Sequence, residues 1–128
     1  MADKKIDYNA LGQAIDTTWG RSSTPLMASS SVKMTLLGAD RLQVTFRQII
    51  NFVAEKEMIK MRQACEEDSL KIIDSHLSLI KKVYKDLCGD TISLKEADTT
   101  DSLEIIGFNV HNPKRTAYYL RRMTVEIT

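Results

Sequence analysis

"SVKMTLLGADRLQVTFRQIINF", residues 31–52, decides the fold. Val32, Met34 and Leu36 alternate with Lys33 and Thr35. Beyond "LGADR", Leu42, Val44 and Phe46 alternate with Gln43, Thr45 and Arg47, and Ile50 and Phe52 keep that phase. A period of two places every second side chain on one face, the pattern of a half-buried strand. The Gly-Ala-Asp link between the runs predicts a short turn, and the whole reads as a hairpin over 32–52.

Downstream the period changes. Leu70, Ile73, Leu77, Ile80, Tyr84 and Leu87 step by three and four, and Met58, Met61, Cys65, Ile72, Leu79 and Val83 form a second line. Together they predict one long helix over 53–88 with a wide apolar stripe. Gly89 is its natural stop, and Ser69 offers a point where it could break and restart. The polar run 89–101 predicts a loop, with a short strand at Ile92 to Leu94. Residues 102–128 then read as a second hairpin. Gly107 marks a bulge, and Asn112-Pro113 makes the turn.

Upstream, Ile6, Leu11 and Ile15 recur at helical spacing, which predicts a short helix within 1–16 capped by Asn9 or Asp7. Gly20 ends it. The Ser/Thr-rich stretch 17–31 predicts an extended arm, since Pro25 bars helical continuation. The expected fold is α+β: one domain in which an antiparallel sheet of two hairpins, four to five strands, is packed by one long helix. A chain of 128 residues suits a single domain.

Composition narrows the function classes. No apolar run nears the roughly 18 residues of a membrane span, and "MADKKIDYNA" lacks the apolar core of a secretory signal. Cys65 and Cys88 on one helix lie about 35 Å apart, which excludes a bridge between them. The net charge of +1 is spread unevenly. Residues 1–51 carry six Lys/Arg and four Asp/Glu, residues 52–106 carry eight and twelve, and residues 107–128 carry four and one. A basic end and an acidic middle suit head-to-tail contacts between copies.

Neither histidine stands at a recognisable spacing from a nucleophile. His76 falls beside the apolar stripe as a core or interface residue, and His111 sits by the second turn. Cys65, His76 and Cys88 are too far apart along a helix to converge on one zinc ion. The five glycines are scattered singly, so no phosphate-cradling loop is present. The expectation is a protein that is not an enzyme, with no cofactor and no metal.

Two features point to binding. The first is the arm. Trp19, the only tryptophan, is a residue type enriched at contact hot spots. With Arg21, Leu26 and Met27 it could dock on a neighbouring molecule, or Trp19 could fold back on its own sheet. Met58 and Met61, on the more polar half of the long helix, are expected to reach a neighbour as well. The second is "NPKRTAYYLRRM", where Lys114, Arg115, Arg121 and Arg122 interleave with aromatic residues including Tyr118. Such a strand could stack bases and hold phosphates, although the near-neutral overall charge favours a wet basic strand face. Two hairpins also leave open sheet edges, which invite pairing between chains, and the C-terminal strand is expected to be one of them.

The order of elements resembles the small tail-terminator and neck-completion proteins of tailed bacteriophages. "VKMTLLGADRLQVTF" followed directly by "VAEKEMIKM" looks like their hairpin and helix, and "TAYYLRRMTVEIT" looks like their closing strand. The resemblance is one of topology over residues 5–128. It carries no diagnostic motif, so no functional residue is transferred. The long helix exceeds the pattern, and the Ser-rich arm is extra. The resemblance implies a non-enzymatic virion subunit, made in the infected host's cytoplasm, that forms an oligomeric ring and docks on tail, neck or capsid proteins. Its expected partners are itself and other virion proteins, with nucleic acid as the alternative and no membrane.

Overall fold

The computed structural model describes residues 5–21, 30–38, 40–109 and 111–128. Helix α1 (Tyr8–Arg21) precedes strands β1 (Ser30–Leu36) and β2 (Arg41–Phe52). Helix α2 (Glu55–Cys88) then leads to β3 (Leu94–Asn109) and β4 (Asn112–Ile127). The four strands form one antiparallel sheet in the order β1-β2-β4-β3. This is the α+β fold that the two periodicities predict.

The alternation in β2 is realised residue by residue. Leu42, Val44, Phe46, Ile50 and Phe52 are buried, and Arg41, Arg47, Ile49 and Asn51 are exposed. The register brings Ala117, Tyr119, Met123 and Val125 of β4 onto the same inner face. Over that face lies the stripe of α2: Cys65, Ile73, Leu77, Ile80, Val83 and Tyr84. Each fully buried large side chain contributes about 1.5–3 kcal/mol relative to exposure. Among the described residues no element covers the opposite face of the sheet.

Helix α1 joins the same layer through Ala10, Leu11 and Ala14. Asp7 is its cap, and its carboxylate accepts from the Ala10 amide at 3.1 Å. The Asp7 amide in turn donates to the hydroxyl of buried Tyr84 at 3.0 Å, fastening α1 to α2. Burial, the largest influence on that phenol, raises its pKa. Helix α2 starts without a side-chain cap at Ala54, but Glu57 reaches back to the Val53 amide. It ends at Gly89, whose left-handed φ of 81° lets its amide bond to the Lys85 carbonyl.

Four expectations need correction, and the possible break in α2 is not realised. Helix α1 runs past Thr17 and through Gly20 to Arg21, so the arm does not begin at Thr17. One mid-helix glycine costs only about 1 kcal/mol, and Thr18, fully buried, is satisfied by donating to the Ala14 carbonyl at 2.7 Å. Helix α2 is unbroken at Ser69, because that buried hydroxyl donates to the Glu66 carbonyl of its own helix rather than capping a new one. The expected loop 89–101 becomes strand from Leu94 onward. Its polar residues lie on an edge strand, where half the positions face water and pairing with β4 overrides weak propensity. The turn of the second hairpin falls before Asn112, which already pairs with Asn109. Finally, β4 is no edge: it is flanked by β2 and β3, and the edges are β1 and β3. The bulge expected beside Gly107 is present, as a register shift between Ile105 and Gly107.

Candidate functional site

The sheet divides the candidate residues between two faces. Arg115 and Arg121 lie in phase with buried Ala117 and Tyr119, on the helix side. Tyr118 and Arg122 lie on the uncovered side. The five-residue basic aromatic patch therefore does not assemble, because a period of two sends neighbours to opposite faces. Arg115 donates to Glu55 at 3.1 Å. Lys114 belongs to β4, and its side chain is outside the described set.

Arg121 enters a polar cluster between α2 and the sheet. Its Nη1 donates to Ser69 Oγ at 3.4 Å and to the Tyr119 hydroxyl at 3.5 Å. The Tyr119 hydroxyl donates to Asp101 Oδ2 at 3.1 Å, and Arg62 reaches Asp101 Oδ1 at 3.4 Å. Arg62 also pairs with Glu66. Burial raises the pKa of Tyr119, and the charge of Asp101 adds to the rise, while bonds from Arg121 and Ser69 oppose it. Nearby, burial first and then Asp68 and Glu66 push the Cys65 thiol up to about 11. The cluster ties the first half of α2 to β3 and β4. Arg62 and Glu66 are an i,i+4 pair that helix periodicity alone provides, but their meeting with Asp101 is invisible in sequence, since it depends on where α2 crosses the sheet.

The uncovered face is set by register. One row across it reads Ser31, Arg47, Leu120 and Ser102, and the next reads Lys33, Thr45, Arg122 and Thr100. Ile49, Tyr118 and Glu104 share a third. Tyr118 and Leu120 are half-buried, while Ile49, Arg47, Lys33 and Arg122 are exposed. Apolar and aromatic side chains thus sit among cations, with Glu104 beside Tyr118, on a face that no described element covers. Arg47 and Lys33 were legible only once the register was known.

Trp19 and Arg21 fall in the last turn of α1, with side chains outside the described set. Leu26 and Met27 lie outside the described residues. Met58 and Met61 are both half-buried and pack on this chain's own core. Ile59 between them is the residue that projects, at 69% exposure. Ser31, His76 and Asp16 line one cavity of about 370 Å³, which Lys33 and Arg47 also border at the β1 edge. Ser31, His76 and Asp16 are not joined as a triad, because His76 Nδ1 donates to the Ile72 carbonyl at 2.7 Å, and a catalytic base must hold its nucleophile and its orienting acid. No group of residues among those described could hold a metal ion. Cys65 and Cys88 are free thiols. No described helix is long and apolar enough to cross a membrane.

No protein-family profile matches the chain, and no curated protein matches it. Two similar solved structures come from work on heme distortion in the H-NOX family and on heme redox potential modulated by protein-induced porphyrin distortion. Each is 11% identical, with TM-scores of 0.34 and 0.33. The alignments cover 96% of this chain but 50% of theirs, so the chain spans half the length of the proteins it matches. Likeness at this level carries no argument about fold or function.

Proposed function

We propose that this chain is a non-enzymatic structural subunit that assembles with copies of itself and docks on other proteins. In the setting implied by its resemblance to phage tail-terminator and neck-completion proteins, those partners are virion proteins of the tail, neck or capsid. The observation that carries the reading is the one-sided build of the molecule. Both described helices pack on one face of the sheet, while the other face presents Ile49, Tyr118, Leu120, Arg47 and Arg122 without cover from any described element. Tyr and Arg around an apolar centre are the residue types that dominate binding energy in protein interfaces.

The test is the solution mass by light scattering, with the 260/280 nm absorbance ratio followed across the peak. A defined oligomer free of nucleic acid is the expected outcome. A single-chain species at every concentration refutes self-assembly.

One observation favours a second reading. Lys33, Arg47 and Arg122 share this face with Tyr118, so cations and one stacking platform for single-stranded nucleic acid lie on one side of the sheet, together with the carboxylates Asp98 and Glu104. That reading expects a small species that carries nucleic acid and loses it steeply with salt. Affinity unchanged in Arg47→Ala/Arg122→Ala refutes it.

A further inference from the structure

We infer that copies of this chain join edge to edge, with β1 of one molecule pairing with β3 of the next. This rests on the self-assembling reading above and specifies its contact. The edges of the sheet carry opposite charge. Strands β1 and β2 contain Lys33, Arg41 and Arg47 and no carboxylate. Strand β3 contains Glu96, Asp98, Asp101 and Glu104 against the single Lys95. Asp101 is held by Arg62 and Tyr119, whereas Lys33, Asp98 and Glu104 enter no ion pair among the described residues. All three lie on the uncovered face, in phase with the Lys33–Thr45–Arg122–Thr100 row.

Strand direction allows the same junction. Strand β1 is antiparallel to β2, β2 to β4, and β4 to β3. Strands β1 and β3 therefore run in opposite senses. A rotation about an axis along the strands preserves those senses, so β1 of one copy meets β3 of the next as an antiparallel pair. Lengths also agree. The shifts at Glu96/Asp98 and Ile105/Gly107 leave residues 98–105 of β3 regular, and β1 has seven residues with no register shift. The two symmetric alternatives are opposed by charge. Pairing β1 with β1 places Lys33, at the middle of its strand, against its own copy, and pairing β3 with β3 sets acids against acids. Only the head-to-tail junction is complementary, and such a junction closes into a ring or extends as a filament.

Two charge-reversed variants test this. The first is Lys33→Glu/Arg47→Glu and the second Asp98→Lys/Glu104→Lys, each checked for native circular dichroism and then sized by sedimentation. Each alone is expected to lose subunit affinity roughly 10- to 100-fold and run as single chains. Mixed one to one, they reassemble as alternating copies beyond a two-chain species, because the intact acidic β3 meets the intact basic β1 at one junction and the two reversed edges meet at the next. All four substitutions in one chain restore the wild-type mass. If wild type is oligomeric and both variants keep its mass, the edge junction is overturned while self-assembly stands. If the variants dissociate but neither the mixture nor the fourfold variant reassembles, the head-to-tail arrangement is overturned. If wild type itself is a single chain at all concentrations, both this junction and the self-assembling reading fall.

Discussion

Removing one oxygen atom, Tyr119→Phe, tests whether the polar cluster latches α2 to the sheet. The ring remains, and with it the edge-to-face contact with Phe46 at a centroid distance of 6.2 Å. What is lost is the bond to Asp101 Oδ2 at 3.1 Å and a weaker acceptor for Arg121 at 3.5 Å. A hydrogen bond to a charged group contributes about 1.5–3 kcal/mol. The Asp101 side chain is 27% exposed, so water partly replaces the phenol and the lower end applies, about 1.5 kcal/mol. That corresponds to a drop of about 5 °C in Tm for a chain of this size. The assay is urea unfolding followed by circular dichroism at pH 7, with the m-value unchanged. The sign of the pH effect is also fixed. The Tyr119 pKa is raised in the folded state, so its contribution is full below the unfolded value near 10 and fades as pH rises beyond it. The gap between wild type and variant should therefore narrow above about pH 10. A loss under about 0.5 kcal/mol at pH 7, or a gap that widens in alkali, refutes the latch.

Four further outcomes are expected. Cys65 is 2% exposed with its pKa near 11 instead of 9.0, so at pH 8 it holds about 100-fold less thiolate than an ordinary cysteine. Iodoacetamide should label half-buried Cys88 first, as peptide mapping would show. For the same reason the Cys65 contribution is full below pH 9.0 and is lost as pH rises toward about 11; a Cys65→Val variant should show a flatter alkaline profile in thermal melts. Gly89→Ala should cost about 1 kcal/mol, read by urea unfolding. A Cβ there meets nothing within 4 Å, so the left-handed φ is the whole cause. Ile80→Ala, beneath α2 and fully buried, should cost about 2–5 kcal/mol in the same assay.

What could be read from the sequence was what repeats locally. Alternation from Val32 to Phe52 and the three-four stepping from Leu70 to Leu87 each report one face meeting one core. The Gly89 stop and the Gly107 bulge needed only the special geometry of glycine. Strand β3 was hidden, because "EADTTDS" has neither propensity nor alternation until β4 supplies a partner. The order of strands was hidden as well, so β4 was expected at an edge. The candidate surface suffered most. Lys114, Arg115, Tyr118, Arg121 and Arg122 are neighbours in sequence, yet pleating parts Arg115 and Arg121 from Tyr118 and Arg122. The cation of the other hairpin nearest Tyr118 is Arg47, one row away on β2, while Lys33 lies a further row and strand off.

The central place of β4 also governs how the chain is made. Strand β2 emerges from the ribosome early, but its inner partner is the last of the sheet's four strands to be synthesised. Asn51 and Thr116, hydrogen-bonded side by side, are 65 positions apart. Until β4 arrives, β2 has β1 on one flank and nothing on the other, and the stripe of α2 has only half a sheet to rest on. The nascent protein therefore carries an exposed apolar face through much of its synthesis, the condition under which chains aggregate or recruit chaperones. Non-local pairing of this kind also slows folding relative to a helical protein of equal length.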